Sequence, residues 1–235
     1  MEKVKTGVKG LDEMLGGGFI KNRPYLIAGG PGIGKTILCV QFLMQGVEEG
    51  EGGLYIALEE QTEQLKEDMR VFEWDIDKIH IVETMQDVGS GTWTLSTSGI
   101  VSSPKFNLKN LMESLRDTIN KHKPQRMVID SLTSIKMLYD NKTDARREIL
   151  GFMNFLLASG CTTLLTSEQL GEEILMEEFL SSGVVRLNAI ENQGERITGV
   201  SIVKMRGSGF DKHMRPMKIT DDGIQIFPNE SVFSP

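Results

Sequence analysis

Only two of the 235 residues are cysteine, and no C-x-x-C pair occurs, so neither a disulfide framework nor a cysteine-based zinc site is expected. Cys39 and Cys161 fall in apolar stretches and read as small buried hydrophobes of a reducing compartment, the cytoplasm. The three histidines, His80, His122 and His213, form no ligand-like cluster. No apolar run approaches the length that spans a bilayer, which argues against a membrane partner. The opening Met1-Glu2-Lys3-Val4-Lys5 lacks the apolar core of a secretion signal. Basic residues are also in deficit: 26 Lys and Arg stand against 33 Asp and Glu, a net charge of −7. A wholly electrostatic grip on nucleic acid is therefore disfavoured. No internal repeat and no linker-like composition divides the chain. Its length and 39% hydrophobic content suit one α/β domain spanning residues 1–235.

What the chain does carry is Gly29-Gly30-Pro31-Gly32-Ile33-Gly34-Lys35-Thr36, an unbroken G-x-x-x-x-G-K-[ST] run. Glycines let the backbone curl until several N–H groups point at one spot, and the helix that follows adds its positive end. Lys35 is placed to reach β- and γ-phosphates and the Thr36 hydroxyl to hold Mg²⁺. The surroundings agree with this reading. Pro24 to Ala28 is a short apolar strand, and Ile37 to Val47 is a largely apolar helix closed by Gly50.

The rest of the chain alternates strand and helix as a mostly parallel sheet requires. A short helix is expected over Thr6–Leu15 and a strand over Gly53–Leu58, then a helix over Gln64–Phe72 and a short strand from His80 to Val82. Asn107 can cap a helix carrying Leu108, Leu111, Leu115 and Ile119 on one face. The stretch Thr84–Phe106, rich in Gly, Ser and Thr, reads as a structureless functional loop or a tolerated insertion. Arg126–Asp130 and Thr162–Thr166 read as buried strands flanking a helix over Asn141–Ser159. Gly183–Asn188, Arg196–Met205, Pro216–Thr220 and Gly223–Phe227 read as an antiparallel extension of the sheet.

Three groups add chemistry to the phosphate loop. Asp130 ends an apolar strand, at the edge where such sheets bind ligands, and can fix a magnesium ion through bound water. Glu59 and Glu60 end another strand at that edge. Strand alternation lets only one of them face a nucleotide easily, so Glu59 is assigned as the base that activates water and Glu60 as its support. Ser167-Glu168-Gln169 forms a polar strand tip, either a γ-phosphate sensor or a plain loop entry. Lys204 and Arg206 project the same way from a late strand, and that spacing suits a shared anionic target.

Together the phosphate loop, Leu58-Glu59-Glu60, Val128-Ile129-Asp130-Ser131 and Lys204-Met205-Arg206-Gly207-Ser208 resemble, in their order, the KaiC-like ATPases of the RecA superfamily. Thr6–Phe19 and Ile219–Pro228 resemble that family as well. The resemblance implies a RecA-like P-loop fold and subunits assembled in rings, typically hexamers, with ATP at the interfaces. It implies nucleotide contacts from Gly30, Pro31, Gly32, Ile33, Gly34, Lys35, Thr36 and Ile37. Lys204 and Arg206 would act on the neighbour's nucleotide, with Ser208 and Lys212 near it. The segment Glu177–Val185 is similar to the hydrolysing first half of KaiC. Glu178 and Phe179 stand where the second half of KaiC carries a Ser/Thr phosphoacceptor pair. The expected activity is Mg²⁺-dependent ATP hydrolysis in a homo-oligomer. Two other readings are a DNA-associated RecA/RadA-like ATPase, with Trp93 and Phe106 stacking on single-stranded bases, and a nucleotide-gated scaffold with slow turnover.

Overall fold

Side chains that alternate along buried strands build this fold from the middle outward. In the computed structural model, which describes residues 1–87, 92–96, 108–169, 174–192 and 194–232, Tyr25 and Ile27 pack on one face of the sheet and Leu26 and Ala28 on the other. Tyr55 and Val128 repeat the first pattern, and Leu54, Met127 and Ile129 the second. A strand buried on both faces needs helices on both sides, which is the condition for a parallel sheet.

In chain order the elements are β1 (Lys3–Val4), α1 (Leu11–Met14), β2 (Phe19–Ile20), β3 (Pro24–Gly29), α2 (Lys35–Glu48), β4 (Gly53–Ala57) and α3 (Thr62–Met69). They continue with β5 (His80–Asp87), β6 (Thr92–Ser96), α4 (Leu108–His122), β7 (Arg126–Asp130), α5 (Leu132–Lys136), α6 (Lys142–Ala158) and β8 (Thr162–Glu168). The last are α7 (Met176–Leu180), β9 (Gly183–Asn192), β10 (Glu195–Met205), β11 (Arg215–Thr220) and β12 (Gly223–Ile226). Among the described residues, ten strands form one sheet in the order β12-β11-β10-β9-β3-β8-β7-β4-β5-β6, and β1 pairs separately with β2. Helices α1, α2 and α3 cover the first face, and α4, α5 and α6 the second. No described helix is long and apolar enough to cross a membrane.

Several expectations need correction. Helix α1 is one turn, not the whole of Thr6–Leu15, because Gly7 and Gly10 both adopt positive φ and break the run. Strand β9 is not part of an antiparallel extension: it runs parallel to β3, and the antiparallel pairing begins only at β10. The strand from His80 reaches Asp87 and forms an antiparallel hairpin with β6, so Thr84–Phe106 is not structureless throughout. Trp93 belongs to β6, while Phe106 and the cap Asn107 lie outside the described residues. The helix expected from Asn141 is observed, with the Asn141 side chain accepting from the Asp144 amide.

Arg126, at the first position of β7, is fully buried. It donates to Glu49 and Glu51 at 2.5 Å each and to the carbonyls of Lys5 and Phe42, with its guanidinium over the Phe42 ring. Gly46 faces it so closely that a Cβ would stand 2.6 Å from Arg126 Cδ. This one cation therefore ties the N-terminal segment, α2 and β7 together. Arg126→Ala is expected to lower stability by about 3–5 kcal/mol, since it leaves acids and carbonyls without their partner. Urea unfolding checks this; a loss below about 1 kcal/mol would contradict it.

Candidate nucleotide site

The carboxyl ends of β3, β8, β7 and β4 meet at one edge, and each delivers a polar residue there. The loop from Gly29 to Gly34 leaves β3 and enters α2, with Gly32 at φ 67° and Gly34 at φ 104°. Both glycines occupy backbone conformations that side chains resist. Gly29 is held for space instead: a Cβ there would come within 2.8 Å of the Leu187 carbonyl. A Cβ on Gly32 would meet nothing within 4 Å, so the loop is open on its outer side.

The N-cap of the fourteen-residue α2 is Gly34, which has no side chain to cap it, and the first turn carries no acid. The amides that begin a helix need acceptors, and an anion is one that can serve them. Lys35 folds back to donate to the carbonyls of Gly29 and Gly30 at 3.0 and 2.8 Å. Burial lowers its pKa, partly offset by Glu168 and Asp130. A cleft of about 460 Å³ runs beside the loop, lined in part by Gly30, Ile33, Arg186 and Asn188.

Thr36 Oγ1 donates to Asp130 Oδ2 at 2.8 Å, joining α2 to the tip of β7. Tyr55 donates to the same oxygen at 2.7 Å, and Thr166 donates to Oδ1. The Tyr55 hydroxyl is held well above its usual pKa, first by burial and then by the Asp130 charge, so it remains a donor. Thr36 and Asp130 supply hard oxygen ligands suited to Mg²⁺. Among the described residues no cluster of three or more His, Cys, Asp or Glu could hold a metal alone.

Glu59 and Glu60 follow β4 and have different surroundings. Glu59 Oε1 accepts from Ser131 at 2.5 Å and from Ser134, so its carboxylate is oriented from the turn after Asp130. Glu60 is raised from an ordinary 4.5 to about 7 by burial, then by the charges of Asp68 and Asp130, with a hydrogen bond to Asp68 adding to the shift. Its proton is held more tightly in the folded chain than in the unfolded one. This group therefore contributes most below its unfolded pKa, and the contribution fades as pH rises through about 7. Glu60→Gln is expected to lose less stability than wild type between about pH 5 and about pH 8. Urea midpoints at the two pH values check this, and equal losses in both proteins would contradict it.

Lys204 and Arg206 lie elsewhere. Lys204 is opposite Val184, and Val184 is opposite Leu26, so both cations sit towards the start of β3. The Arg206 carbonyl accepts from Arg23, just before that strand. The phosphate loop leaves the strand's other end, roughly 16 Å along β3. Lys204 donates to the carbonyl of Glu178, and Arg206 to that of Phe179 at 3.0 Å. Burial, then the neighbouring Arg206, lowers the Lys204 pKa. Ser208 accepts from Lys3 at this same far end. The structure thus brings Lys35, Thr36, Asp130, Glu59 and Glu60 together and holds Lys204, Arg206 and Ser208 apart from them.

The strand tip Ser167-Glu168-Gln169 divides: Ser167 turns inward to Glu177, and the Gln169 amide donates to the Gly29 carbonyl. Sequence reasoning missed Tyr55, Thr166, Ser131 and Ser134. A polar residue inside an apolar strand was the signal for the first two.

A phosphate loop leaving a central parallel strand, with an acid two strands away gripping its threonine, defines a RecA-like P-loop nucleotide-binding fold. The chain belongs to the KaiC ATPase family, whose model matches residues 4–231. A UPF0273 protein of Thermotoga maritima is 35% identical over 98% of this chain and 98% of its own. The circadian clock oscillator protein KaiC of Rippkaea orientalis is 34% identical over 97% of this chain but only 44% of its own, so the chain spans less than half of that relative. Among solved structures, a KaiC-like protein from Pyrococcus horikoshii gives a TM-score of 0.82 at 32% identity, over 97% of this chain and 99% of that one.

Proposed function

We propose that this chain, acting as one domain over residues 1–235, is an Mg²⁺-dependent ATPase that works as a homo-oligomeric ring, hexameric as in the family it resembles. Each nucleotide is held by one copy's phosphate loop and completed by Lys204 and Arg206 of the next. The observation that carries the reading is the Thr36–Asp130 contact beside a helix start whose N-cap is a glycine. The distance between the phosphate loop and the two cations supports a shared site, since one copy's Lys204 and Arg206 lie towards the opposite end of β3 from its own loop. Two buried thiols, Cys39 and Cys161, support a reducing cytoplasmic setting.

In this reading the first amides of α2 bind phosphate oxygens, and Lys35 exchanges its loop carbonyls for them. Thr36 and Asp130 would hold Mg²⁺, which when bound neutralises charge on the β- and γ-phosphates. Glu59, oriented by Ser131 and Ser134, takes a proton from water as the water oxygen bonds to the γ-phosphorus. The bond from that phosphorus to the β–γ bridging oxygen breaks, and ADP carries the electron pair away. Lys204 and Arg206 of the adjoining copy stabilise the charge that builds on the transferring oxygens.

Phosphate release from Mg·ATP tests the assignment. Wild-type protein should turn over ATP, and Lys35→Ala should not. Equal release by both would overturn the reading.

A further inference from the structure

The five-residue helix α7 touches three parts of the molecule that the proposed reaction uses. On one side its last carbonyls hold the two cations: Glu178 accepts from Lys204 and Phe179 from Arg206. On the other, the fully buried Glu177 accepts from Lys136 at 2.7 Å and from Ser167 at 2.5 Å, both through Oε1. Lys136 ends α5, the helix that begins two residues after Asp130. Ser167 neighbours Thr166, which grips Asp130 from the same strand. Glu178 adds a 2.6 Å ion pair to Arg186 on β9.

Each of these contacts fixes a position. Glu177 is an acid with no exposed surface, and among the described residues its Oε2 has no hydrogen-bond partner. A buried carboxylate in that state costs stability unless its partners hold it closely, so a small shift of α7 would be opposed. Lys204 and Arg206 are long and flexible, and an arginine or lysine stabilises a transition state only when its head is fixed. Here those heads rest on backbone carbonyls of the helix that carries Glu177.

We propose that Glu177 is a positioning residue: it anchors α7 so that Lys204 and Arg206 are aimed at the adjoining copy's nucleotide, and it ties that aim to the Asp130 end of its own site. This rests on the shared-site reading above. The lesion in a Glu177 variant should therefore belong to the donor side of an interface, although the side chain is bonded to its own subunit's nucleotide end.

The test is a subunit-mixing assay with ATP turnover as readout and assembly verified by sedimentation. Glu177→Gln alone should lower kcat about tenfold or more and change KM for ATP less than about threefold. Mixed with Glu59→Gln subunits, whose α7 and cations are intact, it should regain activity several-fold above the mean of the separate proteins. Mixed with Arg206→Ala subunits, which share its defect, it should regain none. The reference pair, Glu59→Gln with Arg206→Ala, separates two failures. If that pair does not recover, the shared site itself is wrong and this inference goes with it. If the pair recovers while Glu177→Gln recovers with Arg206→Ala or with neither partner, only the role given to Glu177 is overturned. Wild-type kcat in Glu177→Gln would overturn it too. Should Glu177→Gln fail to assemble, Ser167→Ala, which removes one hydroxyl, is read in the same mixtures against the same outcomes.

Discussion

Arg206→Ala should reduce ATP turnover by about 10²–10³-fold while leaving the fold nearly untouched. The size follows from the role: a cation directed at charge that appears only during transfer contributes to the transition state and little to ground-state binding. Among the described residues its side chain makes one hydrogen bond, to a carbonyl of α7, so truncation should change stability by less than about 0.5 kcal/mol. ATP affinity measured by calorimetry should stay within about threefold of wild type. A drop in affinity as large as the drop in turnover would assign Arg206 to binding instead. Activity should return in part when Arg206→Ala subunits are mixed with Glu59→Gln subunits, because some interfaces then join an intact base to an intact arginine. No recovery in verified mixed assemblies would place both groups in one copy's site, against the register of β9 and β10.

The second large effect belongs to Glu59. Glu59→Gln should lower kcat by about 10²–10⁴-fold, the range expected when a positioned proton acceptor is lost. Glutamine keeps an oxygen for Ser131 and Ser134, so the turn after Asp130 should hold its shape. Binding of ATP should persist, and the variant should trap nucleotide unhydrolysed. Single-turnover measurement separates this from slow product release. If instead Glu60→Gln were inactive and Glu59→Gln turned over normally, the two acids would exchange roles.

The reasons some of this was legible in the sequence, and some not, are physical. A triphosphate cradle permits few residue choices, so Gly29 to Thr36 could be identified without any fold. Asp130 was legible because an acid at the end of Met127-Val128-Ile129 has few places to go but the sheet edge. Tyr55 and Thr166 were not, because their meeting at Asp130 depends on strand order: β4 and β8 lie on either side of β7. Sequence carries the pattern of a buried strand but not the direction of its neighbour, so the parallel pairing of β9 with β3 is visible only in the fold. Glu59 and Glu60 stand out as a pair, yet what distinguishes them depends on the fold: the serine hydroxyls at Glu59 come from a segment distant in the chain, and the burial and nearby Asp68 that raise Glu60 need α3 packed beside it. Lys204 and Arg206 stood out by their spacing. Only the register showed that they lie at the far end of β3 from the phosphate loop.

The most direct measurement is calorimetric titration of ATP into the folded protein with magnesium present, in parallel with Lys35→Ala. Saturable binding by wild type, lost in the variant and weakened when magnesium is chelated, is the predicted result. Heat of binding that is absent from wild type, or identical in the two proteins, would contradict it.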